Sequence, residues 1–399
     1  MSTLLPFLEG QLLARERAGL MRRRVARDGA QQPEQQVEGR GLLSFCSNDY
    51  LGLANHPQVR AAFKDAVDCY GLGSGGSHLV TGHCRAHQAL EEELADFMGR
   101  DRALVFSTGY MANTGIINAL VNTGGLVLQD ALNHASLLDG GWLSKADSKR
   151  YPHKDMAALE AMLAASKADH HLIVSDGVFS MDGDLAPLPE LVSIAERHGA
   201  WLMIDDAHGI GCLGTTGRGI VEAFTDVDGQ PLSQPISQAQ LPILIGTLGK
   251  AFGSSGAFVV GDNALIEYLI QFARPYIYST AMPPAVAEAT RTSLRILREE
   301  PWRRARLQEL VTRFRHRVAG LGLPLLESTS PIQALILGDV EKAQRASSIL
   351  AKEGIHVSAI RPPTVPVGTS RLRITFSAAH TDAHLDRLVS ALERVSQHV

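Results

Sequence analysis

The 399 residues are 45% hydrophobic and 20% charged, with a formal charge of −4, which describes a globular protein longer than one typical core, so two lobes are expected. There is no excess of positive charge for a nucleic-acid partner, and no apolar run approaches the roughly 20 residues of a membrane span. Cys46, Cys69, Cys84 and Cys212 show neither CxxC nor metal-like spacing, which fits reduced thiols in a cytoplasmic protein better than a disulfide framework.

Residues 4–27 set Leu4, Phe7, Leu8, Leu12, Leu20 and Val25 among charges, a pattern that predicts an amphipathic surface helix with Arg22, Arg23 and Arg24 near its end. Glu9, Glu16 and Asp28, with little serine, argue against a targeting presequence. The arginines either sit in water and complement the helix dipole, or one of them clamps a carboxylate through its planar fork. Gly41 to Phe45 reads as a strand, Cys46 to Leu53 as a polar turn and His56 to Tyr70 as a helix. Gly71 to Gly76 has G-x-G-x-x-G spacing, but a helix precedes it where a dinucleotide fold requires a strand. A loop with amides facing an anion is the better reading.

After a helix over His87 to Met98, six apolar strand-like runs alternate with helical stretches: Ala103–Phe106, Leu126–Leu128, His171–Val174, Trp201–Ile204, Ile243–Ile245 and Ala257–Val260. This pattern predicts a mostly parallel sheet covered on both faces, with ligands beyond the carboxyl ends of the strands. The residues that follow those ends are polar: Ser107 to Tyr110 opening a helix, Asp130 to His134, Asp176 to Asp182 with Ser180, Asp205 to Gly209 with His208, and Thr247 with Lys250. A free helix N-terminus suits a phosphate. Lys250 lies in a glycine-dense loop with no neighbouring carboxylate in sequence, so burying its ammonium is costly unless the nitrogen is covalently occupied or phosphate lies near. Asp205, Asp206 and His208 offer metal-type ligands, but the set supplies no further obvious one, and no metal is expected. Beyond about Arg291, a charged helix over 295–320, short strands at 332–337, 355–360 and 371–376, and a final helix over 381–396 predict an α+β lobe; Asp226 to Gln240 reads as a polar surface loop.

A lysine, an aspartate and a phosphate-binding helix end are the parts needed to hold pyridoxal 5′-phosphate. Five blocks carry a closer likeness: Ser47–Leu53, Asn133–Ser136, Gly177–Gly183, Asp205–Gly209 and Thr247–Lys250. In this order they closely resemble the α-oxoamine synthases, fold-type I pyridoxal-phosphate enzymes, and the likeness spans nearly the whole chain. It implies a large domain (57–290) with a mostly parallel seven-stranded sheet between helices, a smaller α+β C-terminal domain (291–399), and an N-terminal helix and arm (1–56) packing with the latter.

The resemblance further implies that Lys250 bonds the cofactor aldehyde, that Asp205 faces the pyridine nitrogen and that His134 stacks on the ring. It puts His208 and Ser180 near the phenolic oxygen, with Gly109, Tyr110 and Thr247 on the phosphate side. Arg22, Asn48 and Thr364 become substrate contacts, and Ser279 and Thr280 reach the partner's cofactor across a homodimer interface. The blocks Leu20–Arg24 and Ala359–Pro366 are typical of the members that condense L-alanine with a pimeloyl thioester in biotin biosynthesis. The acyl carrier is left open between coenzyme A and acyl carrier protein. The alternative is a sister activity such as glycine C-acetyltransferase, which takes glycine and acetyl-CoA.

Overall fold

The computed structural model describes residues 4–22, 24–224 and 236–398. Most of the polar loop expected at 226–240 therefore lies outside the described residues. The centre is a seven-stranded sheet of β1 (Arg102–Phe106), β2 (Leu126–Asp130), β3 (Asp147–Tyr151), β4 (His171–Asp176), β5 (Trp201–Asp205), β6 (Ile243–Thr247) and β7 (Ala257–Gly261), in spatial order β1-β7-β6-β5-β4-β2-β3. Only β7 runs antiparallel to its neighbours.

The apolar runs give strands because both faces are buried. Along β5, Leu202 and Ile204 enter one hydrophobic cluster and Met203 the other; Ile173 on β4 is likewise separated from Leu172 and Val174. β3 has no such run: its sequence Asp-Ser-Lys-Arg-Tyr buries only Tyr151, as an edge strand can.

An N-terminal helix, α1 (Leu4–Arg17), is followed by three helices that position the site or its supports: α2 (Pro57–Tyr70), α3 (Arg85–Met98) and α4 (Gly109–Leu120). α1 corrects the expected helix over 4–27. It stops ten residues earlier than Arg27, at Gly19, whose φ of +67° lets Gly19 N–H bond Glu16 O and Leu20 N–H bond Arg15 O in a Schellman-type stop. Nor does α1 bury an apolar face in this chain; Leu4, Leu5, Phe7 and Leu8 are all exposed.

The helix expected over 295–320 is two helices, α5 (Pro284–Glu299) and α6 (Trp302–Val318), divided at Pro301, which has no N–H to continue the ladder. The boundary expected at 290/291 falls inside α5, which packs across α2 and α3. The run 355–360 divides between two sheets: Ile355–His356 pairs in parallel with Arg40–Ser44, and Ser358–Ile360 pairs antiparallel with Ser370–Thr375. The chain after Arg40–Ser44 is held against the last strand, with Thr375 N–H on Phe45 O (2.8 Å), Ala378 N–H on Tyr50 O (2.7 Å) and Ser377 Oγ on Asp49 O (2.6 Å). That places Asn48 and Tyr50 beside the carboxyl edge of the central sheet.

The loop joining β6 to β7 is closed by Leu248 N–H on Gly256 O, Ser254 N–H on Leu248 O and Gly253 N–H on Lys250 O. Gly253 has φ +64°, and a Cβ there would lie 2.3 Å from the backbone nitrogen of Ala54. Gly253→Ala therefore forces the lysine loop away from that segment, at roughly 1–3 kcal/mol for the backbone conformation alone. The expected outcome is a lower melting midpoint and reduced uptake of the cofactor that the resemblance implies, read by thermal denaturation and by cofactor absorbance.

Candidate active site

The residues after β2, β4, β5 and β6 meet the N-terminus of α4 in one small cavity of about 80 Å³. Its lining includes Gly109, Tyr110, His134, Ser180, Asp205, His208, Thr247 and Lys250, eight of the residues expected from sequence. α4 begins at the carboxyl end of β1 because Thr108 caps it, its Oγ accepting the Met111 N–H at 3.1 Å. The first amides of α4 open toward the cavity, a ready anion seat. His134 caps the next helix, Ala135–Leu143; its N–H bonds Asp176 Oδ2 at 2.7 Å and its Nδ1 lies 2.7 Å from Ser136 Oγ.

Asp205 ends β5, buried, with its carboxylate fixed by Asn113 Nδ2 at 2.6 Å and the Ala207 N–H at 3.0 Å. His208 Nδ1 lies 2.7 Å from the Tyr50 hydroxyl. Thr247 donates its hydroxyl to Gly256 O at 3.1 Å, so it helps to close the lysine loop as well as lining the cavity.

Burial sets the protonation in this cavity. It lowers Lys250 from 10.5 to about 8, with Asp205 and Asp176 opposing. Burial also depresses His134, against the pull of Asp205, and puts His208 well below its ordinary value, with Lys250 and Arg373 adding to the effect. Asp176 is pushed well up, by burial first and then by the charge of Asp205, and Asp206 is pushed up chiefly by burial.

A second, groove-like cavity of about 520 Å³ shares His134 and Ser180 with the first. Arg22 and Thr364, 342 residues apart, meet in it, with Arg22 Nη2 donating to Thr364 Oγ1 at 3.3 Å. Arg23 lies outside the described residues. Asn48 does not line the inner cavity; its Oδ1 accepts from Arg373 Nη2 (3.2 Å) and from the Tyr50 hydroxyl (3.2 Å). Ser279 and Thr280 do not line the cavity of their own chain; Thr280 pairs with Ser77 and its carbonyl accepts from Ser107 Oγ at 3.2 Å.

Sequence reasoning missed Asn113, Tyr50, Arg150 and Arg373. Asn113 stands one turn beyond Gly109 on α4 and could have been found from helical phase; Arg373 sits in a strand remote in sequence and gave no local signal. Its guanidinium is buried, bonds the Ser180 carbonyl at 2.5 Å and forms no ion pair among the described residues. Arg150 lines the groove and is likewise without an ion pair among them.

The donor set fits pyridoxal 5′-phosphate: a desolvated amine, a fixed carboxylate, two imidazoles and a helix N-terminus face one space. Fold and site are those of a fold-type I pyridoxal-phosphate transferase. Residues 40–392 match the family model for aminotransferase class I and II. The 8-amino-7-oxononanoate synthase of Nitrosococcus oceani is 56% identical over 96% of this chain and 100% of its own, and that of Methylococcus capsulatus is 58% identical over 89% of each. Among solved structures, a serine palmitoyltransferase from S. paucimobilis with a bound PLP–myriocin aldimine superposes with a TM-score of 0.91 at 32% identity, over 100% of this chain and 99% of that one. The 8-amino-7-oxononanoate synthase of Francisella tularensis gives 0.76 at 33% identity, over 89% and 97%. The chain belongs to the aminotransferase class I and II family and, within it, to the 8-amino-7-oxononanoate synthases.

The Lys250 shift has a measurable sign. Below pH 8 the amine is charged in folded and unfolded chains and the full burial penalty is present. Between about 8 and 10.5 only the unfolded chain stays protonated, so cofactor-free protein gains stability as pH rises. The gain is on the order of 3 kcal/mol. Urea denaturation of apoprotein across this window should show it, and Lys250→Met should remove the slope; parallel curves for the two proteins would contradict the burial of a titrating amine.

Proposed function

We propose that the chain catalyses the decarboxylative condensation of L-alanine with a pimeloyl thioester, giving 8-amino-7-oxononanoate, carbon dioxide and free thiol, in biotin biosynthesis. The observation that carries it is the continuity of the Lys250–Asp205 cavity with the groove where Arg22 meets Thr364. When bound, pyridoxal 5′-phosphate supplies an aldehyde that captures an amine and a ring that withdraws electrons from the α-carbon of that amine.

The chain's own residues do the rest. Lys250 holds the cofactor covalently at rest and, once freed, takes and returns the proton at the α-carbon of alanine; its pKa of about 8 suits that work near neutrality. Asp205, held by Asn113, would keep a proton on the ring nitrogen. His134 would cover the ring, and His208 with Ser180 would serve the phenolic oxygen. The α4 amides of Gly109 and Tyr110, with Thr247, would seat the phosphate.

Arg373 has neutral partners only and is the cation available to the alanine carboxylate. Arg22, Thr364 and Arg150 line the way in for a dicarboxylic acyl chain, whose far carboxylate needs a cation that a simple acetyl group does not. Either coenzyme A or an acyl carrier protein can present that chain. Two copies assemble as a homodimer in which Ser279 and Thr280 serve the partner's cofactor, and Asn48 positions Arg373 in each. The enzyme works in the cytoplasm, in keeping with four free thiols.

Paired assays on cofactor-loaded protein test the reading: L-alanine with a pimeloyl thioester against glycine with acetyl-CoA, following thiol and carbon dioxide. The first pair should be preferred by orders of magnitude in kcat/KM; preference for the second would move the chain to a sister activity. Lys250→Ala should retain reversibly bound cofactor and lose turnover. Arg373→Gln should raise KM for alanine at least tenfold, the scale of one lost charge-assisted bond of roughly 1.5–3 kcal/mol, while leaving cofactor absorbance in place.

A further inference from the structure

Outside the active site, three histidines converge on the short turn between the glycine loop and α3. His78 and His87 are buried and His83 half-buried, and one ligand nitrogen from each lies within 4.8 Å of the others. The turn is a five-residue π-helical segment, His78–Gly82, which His78 opens and His83 follows, so the two fold back on one another with Nδ1 to Nδ1 at 2.9 Å. His87 lies on the first turn of α3, and Cys84 Sγ is 3.3 Å from its Nδ1.

Two of the three outer nitrogens are already committed. His87 Nε2 is 2.7 Å from the Met282 carbonyl, which can only accept, so that nitrogen carries the proton and Nδ1 carries the lone pair. His83 Nε2 is 3.3 Å from Gln88 Oε1, which fixes the same tautomer. An imidazole whose outer N–H is held by a carbonyl and whose inner lone pair meets other soft donors is the arrangement that metal-binding histidines adopt.

We propose that His78, His83 and His87 form a site for a zinc ion. Three imidazoles with water in the fourth position suit tetrahedral zinc, and an all-nitrogen protein set disfavours magnesium and calcium, which take oxygen ligands. Zn–N of about 2.0–2.1 Å puts tetrahedral nitrogens roughly 3.3–3.4 Å apart, inside the 4.8 Å that bounds the three nitrogens here. On binding, the contact of His78 Nδ1 with His83 Nδ1 (2.9 Å) and the bond from the Cys84 N–H to His87 Nδ1 (3.1 Å) give way to the metal.

The site sits where two segments are tied together. His78 stacks on Tyr276 at 4.8 Å, Ser74 Oγ bonds the Met282 carbonyl at 2.5 Å, and Ala281 N–H bonds Gly76 O at 3.0 Å. The second segment carries Ser279 and Thr280. Zinc would therefore fix the glycine loop against the stretch that holds these two residues, without touching the Lys250 cavity.

The test uses full-length, tag-free, cofactor-loaded protein, dialysed with zinc and then against metal-free buffer. Wild type should retain about one zinc per chain by elemental analysis, and cobalt(II) in its place should give tetrahedral visible bands. Zinc should raise the melting midpoint of wild type and not of His83→Ala, while both keep the cofactor band, which shows that the variant is folded. Failure of wild type to retain zinc, or equal retention by His83→Ala, overturns the proposal.

Discussion

The desolvation of Lys250 is the constraint that the rest of this molecule answers. Its amine is carried into the carboxyl edge of a buried sheet, where a permanent ammonium is expensive, and burial brings its pKa to about 8. A residue in that state gives up its proton readily to become nucleophilic, or is covalently occupied, and both states suit an aldehyde-bearing cofactor. The tight β6–β7 loop exists to hold it there: Gly253 approaches the Ala54 backbone too closely for a side chain, and Ser254 Oγ anchors the far end of the loop on Thr290 at 2.6 Å. The sheet order matters for the same reason. β5 and β6 are adjacent and parallel, so the residues after Asp205 and after Thr247 emerge side by side.

How much of this was legible depended on whether the signal was local. Six apolar strands were visible because burial on both faces demands continuous hydrophobic runs, and β3 was not, because an edge strand can be polar. The polar residues at the strand ends were legible as a set because parallel topology gathers them. Helix ends were less so. Gly19 stops α1 through a left-handed backbone that amphipathic patterning does not register, and Pro301 divides what charge patterning alone presents as one helix. Arg373 could not be found from its own strand, since what makes it available is the absence of an acidic partner, a property of the tertiary arrangement. Arg22 and Thr364 came from resemblance, and the fold gives the physical link, a hydrogen bond across 342 residues of chain.

The charge arrangement explains why one cavity can hold two different anions. Burial keeps His134 and His208 neutral near physiological pH, so both act as hydrogen-bonding groups rather than as charges. Asp176 and Asp206 are pushed up by the same desolvation, and their proximity to Asp205 makes further ionisation costlier still. Asp205 differs from them in having an amide donor, Asn113 Nδ2, and a backbone N–H aimed at its two oxygens.

Beside Asp205 stand Lys250, Arg373 and the N-terminus of α4, so the cavity as a whole attracts negative charge. These attractions are separated in space, and that separation supplies the chemistry. On the proposed function, the helix end takes the phosphate on one side. Arg373, approached from the Asn48 and Tyr50 side, takes the substrate carboxylate on the other. A substrate amine held between them is then left close to Lys250, the group whose proton affinity the burial has tuned. On that reading, loss of carbon dioxide asks the site to release a carboxylate from a guanidinium whose remaining partners, the Ser180 carbonyl, Asn48 Oδ1 and the Tyr50 hydroxyl, are uncharged. Neutral partners hold Arg373 in place without competing for the anion, and they keep it in the same position once the anion has gone.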